Sequence, residues 1–256
     1  MKRILFEIKE LLIFSVRAFF SVLEGGNDCI ICNRKSFIIP LCKNCIGKFF
    51  NVSEKLSLRR CEICGRELIS NNAKCSACTN QPILKNTDKV VPLFSYRLWN
   101  KELLYLWKMK EERGLSSLFA SLINHSLKLL NEKIIVPVPP RKGKIKKNGW
   151  DQIDELCKYL NRRYGYTILE ILERNTVQQQ KKLNREERLE TIKSAYSLVQ
   201  EKELEKKLRK VNGKLPKSIV LIDDVCTTGS TIESCAEILK AAGISRVNVI
   251  TLFIVD

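Results

Sequence analysis

The sequence predicts an α/β protein: a parallel sheet flanked by helices, preceded by a small N-terminal unit rich in paired cysteines. Three stretches carry that prediction. Ile219-Val220-Leu221-Ile222 is an unbroken β-branched and leucine run, the pattern of a strand buried on both faces of a parallel sheet. Ile134-Ile135-Val136-Pro137-Val138-Pro139-Pro140 reads as a second strand, ended by prolines that no helix can follow directly. Four Cys-x-x-Cys pairs crowd into residues 29–78.

The first stretch holds the candidate site. Asp223 and Asp224 follow the apolar run and are expected to end the strand, where an open α/β sheet places its ligand crevice. Thr227-Thr228-Gly229-Ser230-Thr231 comes next, small hydroxyls around one glycine, so that backbone N–H groups can close on a phosphate. A helix predicted over Ile232 to Ala242 aims its positive end at the same point, and Gly243 stops it. An ordinary capped strand–turn–helix needs neither two acids nor four hydroxyl residues in that order. Cys226, beside the helix start, has two readings: a thiol activated by the dipole, or a small buried side chain.

At 256 residues the chain fits one large domain, or a medium and a small one. The boundaries fall at 1–24 (an amphipathic helix), 25–80 (the cysteine pairs) and 81–256 (the sheet). The formal charge of +17, from 45 Lys and Arg against 28 Asp and Glu, points to a polyanionic partner. Nucleic acid, a phosphorylated small molecule and an acidic membrane face all qualify. Ile4, Leu5, Ile8, Leu11, Leu12, Ser15, Phe19 and Val22 recur at helical spacing and are expected to pack on the body of the protein. Glu7, Lys9, Glu10 and Arg17 interrupt that run, which excludes a membrane span and a signal-peptide pattern.

Eleven cysteines, an odd number, without a signal peptide imply reduced thiols, a cytoplasmic setting and metal in place of disulfides. Two Cys-x-x-Cys pairs complete a tetrahedral zinc site. On spacing alone Cys42 and Cys45 pair acceptably with Cys61 and Cys64. An internal repeat decides otherwise: Cys29 to Cys61 and Cys32 to Cys64 are 32 apart, Cys42 to Cys75 and Cys45 to Cys78 are 33 apart. A repeated unit holding two pairs is most simply one complete site. Cys29, Cys32, Cys42 and Cys45 are therefore assigned to one zinc, and Cys61, Cys64, Cys75 and Cys78 to another. Asn33 and Gly65, after the first pair of each unit, suit the positive φ of a zinc knuckle. With four thiolates each, both sites read as structural; whether they bind nucleic acid, protein or only hold a coreless segment together is left open.

Gln81 to Asp88 reads as a polar linker, Val90 to Leu98 as a strand, and Asn100 to Glu112 as a helix broken by Gly114. Leu115 to Leu130 is a second helix, on which His125, the only histidine, is expected to be structural. After Pro140, Arg141, Lys142, Lys144, Lys146 and Lys147 concentrate positive charge at a strand end, where it can meet the phosphate turn across one crevice. Asp151 to Arg163 is helical, Glu201 to Lys217 is a basic helix and turn, and Arg246 to Val255 is a strand expected to close the sheet.

Residues 220–231 resemble the 5-phosphoribosyl-1-pyrophosphate (PRPP) loop of type I phosphoribosyltransferases. The resemblance implies that Asp223 and Asp224, the catalytic pair, take the ribose hydroxyls and that Thr227, Thr228, Gly229, Ser230 and Thr231 take the 5′-phosphate. Pro140, Arg141 and Lys142, with Mg²⁺, would face the pyrophosphate, and Lys144, Lys146 and Lys147 are candidates for nucleic acid. With Pro137-Val138-Pro139, Gly149-Trp150-Asp151-Gln152, Arg174, Gln180, Leu183, Arg188 and Tyr196 in order, the chain resembles the ComF family of competence-associated proteins. That family joins a double zinc ribbon to a type I phosphoribosyltransferase-like domain, and Lys108 to Gly114 resembles its K-x-x-G element. Asn148 replaces an expected arginine, Trp150-Asp151 replaces Phe-Asn, and Thr191 replaces an asparagine. The resemblance implies a cytoplasmic protein of DNA uptake that binds PRPP and single-stranded DNA, with a DNA-uptake protein as a possible partner. The alternatives are a true nucleobase or amido phosphoribosyltransferase of nucleotide salvage or synthesis, and a PRPP sensor whose ribbons bind a protein.

Overall fold

A computed structural model of the protein describes residues 25–140, 150–175 and 195–255, together with Leu12, Ser15, Val16, Phe19 and Leu23. The five N-terminal positions are helical; Leu12, Val16, Phe19 and Leu23 are about half exposed or more. Leu12 and Phe19, members of the apolar stripe expected to pack on the body, are exposed, and the rest of residues 1–24 lies outside the described residues.

The cysteine-rich segment contains β1 (Asn27–Asp28) and β2 (Lys35–Ser36), an antiparallel pair, followed by α1 (Lys43–Phe49), α2 (Val52–Ser57) and α3 (Ser76–Asn80). The sheet domain begins with β3 (Lys89–Ser95), then α4 (Trp99–Met109), α5 (Gly114–Leu130), β4 (Ile134–Pro137), α6 (Gln152–Tyr164) and β5 (Thr167–Ile168). A hairpin of β6 (Leu172–Arg174) and β7 (Tyr196–Leu198) precedes α7 (Glu201–Leu208) and a 3₁₀ turn. β8 (Ser218–Cys226), α8 (Ser230–Ala241) and β9 (Arg246–Ile254) complete it.

The main sheet has the order β3-β9-β8-β4-β5 and all its pairs are parallel. β8 is buried on both faces, as its composition requires. Val220 and Ile222 join the core under α4, α5 and α6, while Ile219 and Leu221 join the core under α8. From β4 the chain crosses to β5 on one side, and from β8 to β9 on the other. The direction therefore reverses between β4 and β8, the topological switch point at which open sheets bind ligands.

Several expectations change at element ends. β8 does not stop at the acids: it continues to Cys226, because β9 stays paired with it through Val225↔Phe253 and Cys226↔Ile254. β9 is an interior strand; β3 and β5 form the edges. Helix α4 breaks before Gly114, at a turn where Glu111 has φ +53. Gly114 instead opens α5 at a close approach, since a Cβ there would lie 2.7 Å from Ile39 Cγ2. His125 is exposed on α5, not set in an apolar face, with Nε2 2.7 Å from Ser53 Oγ on α2. Asp151 caps α6, accepting from the Ile153 and Asp154 amides at 2.9 and 3.2 Å.

Candidate ligand crevice and two four-cysteine centres

The ladder between β8 and β4 ends at Pro137↔Ile222, followed by one bond from Val138 N to Ile222 O at 3.0 Å. Pro139 and Pro140 have no N–H to continue it. Beyond Ile222 the β8 backbone is thus held on the β9 side while the β4 side opens, and Asp223 and Asp224 stand at that opening.

Their charges are unequal. Asp224 Oδ2 is 2.5 Å from Lys108 Nζ, a lysine in the last turn of α4. Asp223 Oδ1 accepts the Asp224 amide at 2.8 Å. Burial and then the neighbouring Asp224 charge push Asp223 up to about 8, against the Asp224 N–H and Lys108, with Asp151 adding to the rise. The crevice thus holds a Lys108–Asp224 ion pair beside an Asp223 carboxyl whose proton is held more tightly than usual. The family-like element at Lys108 is thus part of the site, a role invisible to sequence reading until α4 is seen to end over the acid pair. Gln152 Nε2 donates to Lys108 O at 3.4 Å, and Arg113 stacks on Trp150 at 5.3 Å from the ring centre. These contacts tie residues of the Gly-Trp-Asp-Gln element to the same corner.

The turn after Cys226 has the form expected of an anion cradle. Gly229, at φ +88, caps α8 in a backbone region that favours glycine. Thr228 Oγ1 accepts the Ser230 amide at 3.3 Å and lies 2.9 Å from Ser230 Oγ. Thr227 and Thr228 are exposed at the positive end of α8, an arrangement suited to an anion. Thr231 hydrogen-bonds Tyr196, whose phenol is raised by burial and which Arg174 covers at 5.4 Å. This brings the β6–β7 hairpin to the edge of the crevice. Cys226 is the small buried side chain of its two readings: 3% exposed, with burial pushing its thiol up to about 12.

Pro140 is half-buried at the end of β4. Arg141, Lys142, Lys144, Lys146, Lys147, Asn148 and Gly149 lie outside the described residues, as do Gln180, Leu183, Arg188 and Thr191. The linker is not merely polar. Leu84 is buried, and Glu233 in the first turn of α8 accepts from the amides of Lys85 and Asn86 at 2.8 and 3.1 Å and from Asn86 Nδ2 at 2.7 Å.

The cysteines gather as the repeat predicts: Cys29, Cys32, Cys42 and Cys45 in one cluster, Cys61, Cys64, Cys75 and Cys78 in the other, with sulfurs in each within 4.8 Å of one another. A tetrahedron of Zn–S bonds of about 2.3 Å sets its sulfurs about 3.8 Å apart. Cys32 and Cys42 stand at 3.7 Å and Cys64 and Cys75 at 3.8 Å, so both clusters fit zinc. The two knuckles match: Asn33 (φ +57) donates to Cys29 O at 2.8 Å and Gly65 (φ +70) to Cys61 O at 2.9 Å. Cys42 and Cys75 each open a short helix. Burial opposes thiolate formation in both clusters: N–H groups still bring Cys29 and Cys61 down to about 6 and 7, while burial and neighbouring sulfurs push Cys45 and Cys64 up to about 12 and 11 and raise Cys78 as well. Thiolates are what a metal needs.

A parallel sheet with an acid pair and a hydroxyl-rich turn at its switch point, joined to two four-cysteine units, has the architecture of a phosphoribosyltransferase-like fold with N-terminal zinc-ribbon-like units. Residues 145–255 match the family described as "Phosphoribosyl transferase domain". Along most of its length the chain is also similar to competence proteins. It is 27% identical over 219 residues to "Competence protein ComFC" of Streptococcus pneumoniae, covering 83% of this chain and 86% of that one. It is 26% identical over 235 residues to "Competence protein F" of Haemophilus influenzae, covering 86% and 94%. These similarities bear out the resemblance to the ComF family. Among the described residues no helix is long and apolar enough to cross a membrane.

Proposed function

We propose that the crevice between the ends of β4 and β8 binds PRPP with Mg²⁺, and that the protein handles single-stranded DNA in the cytoplasm during DNA uptake. One arrangement carries the ligand reading: two adjacent carboxylates at the switch point, one already holding an ammonium group, with a glycine-capped hydroxyl turn directly beyond. Asp223 and Asp224 take the ribose 2′- and 3′-hydroxyls, and Thr227 to Thr231 take the 5′-phosphate. The crevice accepts positive charge at Asp224, and carboxylate oxygens with substrate phosphates suit Mg²⁺, which neutralises the diphosphate when bound. Pro140, Arg141 and Lys142 face the diphosphate. The likeness to competence proteins and the +17 charge support the DNA reading, with Lys144, Lys146 and Lys147 as contacts and a DNA-uptake protein as a further partner. Both four-cysteine units hold zinc as structural centres.

Fluorescence anisotropy with labelled oligonucleotides tests the DNA component. Binding should show little sequence preference and fall steeply with salt. Neutralising Lys144, Lys146 and Lys147 together should flatten the slope of log affinity against log salt by about two units. An unchanged slope places the DNA elsewhere on the surface.

A second reading, catalysis of phosphoribosyl transfer, draws on the domain match itself. Pyrophosphate would leave the anomeric carbon as a nucleobase nitrogen bonds to it, with positive charge developing on the ribose ring and the acid pair holding the hydroxyls. Pyrophosphate released from PRPP in the presence of one nucleobase out of a panel establishes that reading. Binding of PRPP without turnover with any base leaves the DNA-uptake role or a PRPP sensor.

A further inference from the structure

The two cysteine units repeat in sequence and both touch β3, but they join the cores on opposite faces of the sheet. The first packs on the α4–α5 side of the sheet: Phe50 meets Phe94 of β3 and Trp99 of α4 with ring centres 5.0 and 5.3 Å apart, and Ile39 fills the space over Gly114. The second lies against the phosphate turn. Cys61, Cys64, Cys75 and Leu84 share one buried cluster with Cys226, the residue before Thr227, and with Ile232 of α8.

Backbone contacts run the same way. Gly65 lies so close to β3 that a Cβ would stand 2.1 Å from Val90 O, and Arg60 Nη1 donates at 2.8 Å to both Gly65 O and Pro92 O. Arg66 Nη2 donates to Val255 O at 2.8 Å, and Val255 N donates to Cys226 O at 2.9 Å. From Cys78 the chain continues into the strap at 84–86. There Leu84 presses on Gly229, with a Cβ at 229 falling 3.1 Å from its Cγ and Cδ2, and the next two residues clasp Glu233. The second unit thus reaches the turn from the strand end through Arg66 and from the helix side through the strap.

We infer that the second four-cysteine unit positions the phosphate turn: metal at Cys61, Cys64, Cys75 and Cys78 is required for tight anion binding at Thr227 to Thr231, whereas metal at the first unit is not. The inference rests on reading that turn as the phosphate site. A segment with so small an apolar core folds through its metal. Without metal, Arg66 and the strap lose their anchor, and a turn hinged at glycine opens locally before the sheet does.

The test compares Cys78→Ser with Cys32→Ser in the full-length protein. Elemental analysis should show each variant losing one zinc and keeping the other. Hydrogen exchange, which needs no ligand, should quicken at amides 226–232 in Cys78→Ser and stay at the wild-type rate in Cys32→Ser. Ribose 5-phosphate, measured by calorimetry, should bind Cys78→Ser about tenfold more weakly or worse, since binding to a site that is no longer preorganised costs affinity, with Cys32→Ser near wild type. Equal exchange at 226–232 in both variants overturns the inference. If the wild type does not bind ribose 5-phosphate, the phosphate-site reading fails, and exchange alone still decides whether the unit orders the turn. Should Cys78→Ser not fold, Leu84→Ala, which leaves all eight ligands in place, must reproduce the faster exchange or the inference fails.

Discussion

Asp223 and Asp224 are adjacent in sequence, yet Asp224 forms the ion pair with Lys108 while burial, and then the Asp224 charge, hold Asp223 upward. Asp223, pushed up to about 8 by burial and by Asp224, keeps in the native state a proton that the unfolded chain gives up near pH 4. Its contribution to stability is therefore complete below about pH 4 and is lost as pH rises through about 8. Thermal unfolding of the ligand-free protein from pH 4 to 8 should show a falling midpoint, and Asp223→Asn should make that fall shallower. Identical slopes would mean that Asp223 is already ionised in the native protein. At this scale sequence pattern reached the acids and the turn, because both are contiguous. It offered burial as one of two readings of Cys226, but missed the ion pair to Lys108 and the Tyr196–Thr231 contact, each of which depends on where separate elements end in space.

The helices and the longer strands of the sheet domain were legible from apolar runs and periodicity; the short strands β5, β6 and β7 and the ends of the elements were not. β8 runs past the acids because pairing with β9 holds it, and neither the pairing nor the interior place of β9 is written in the local composition. The cysteine repeat was more informative, since equal spacing of whole ligand sets reflects equal local folds, and both clusters formed as the repeat required. Glycine roles divide in the same way. Gly65 was expected for its knuckle conformation, but its approach to β3 is a tertiary fact. Gly65→Ala should destabilise the protein by about 2–4 kcal/mol, through left-handed strain and overlap with Val90 O together. Chemical denaturation measures this directly. A loss within about 0.5 kcal/mol, the range of ordinary surface substitutions, would show that the second unit can shift freely against the sheet.

Taken as a whole molecule, the chain combines a sheet whose reversal between β4 and β8 opens a crevice, a cysteine-rich segment braced on the β3 side, and a strong positive charge. The fold class follows from the strand and helix pattern. The order of the strands does not, because long-range pairing decides it, yet that order is what brings Pro140 and Asp223 to one mouth. The central claim is that this mouth binds PRPP, and thermal unfolding with and without PRPP and Mg²⁺ tests it most directly, because a ligand that binds only the native state raises the midpoint with occupancy. The wild type should shift upward with increasing PRPP. Asp223→Asn with Asp224→Asn, which keeps the side-chain shapes and removes the charges, should fold and show no shift. A wild type whose midpoint stays unmoved by PRPP at every Mg²⁺ concentration, or a double variant that shifts as far as the wild type, would contradict the account.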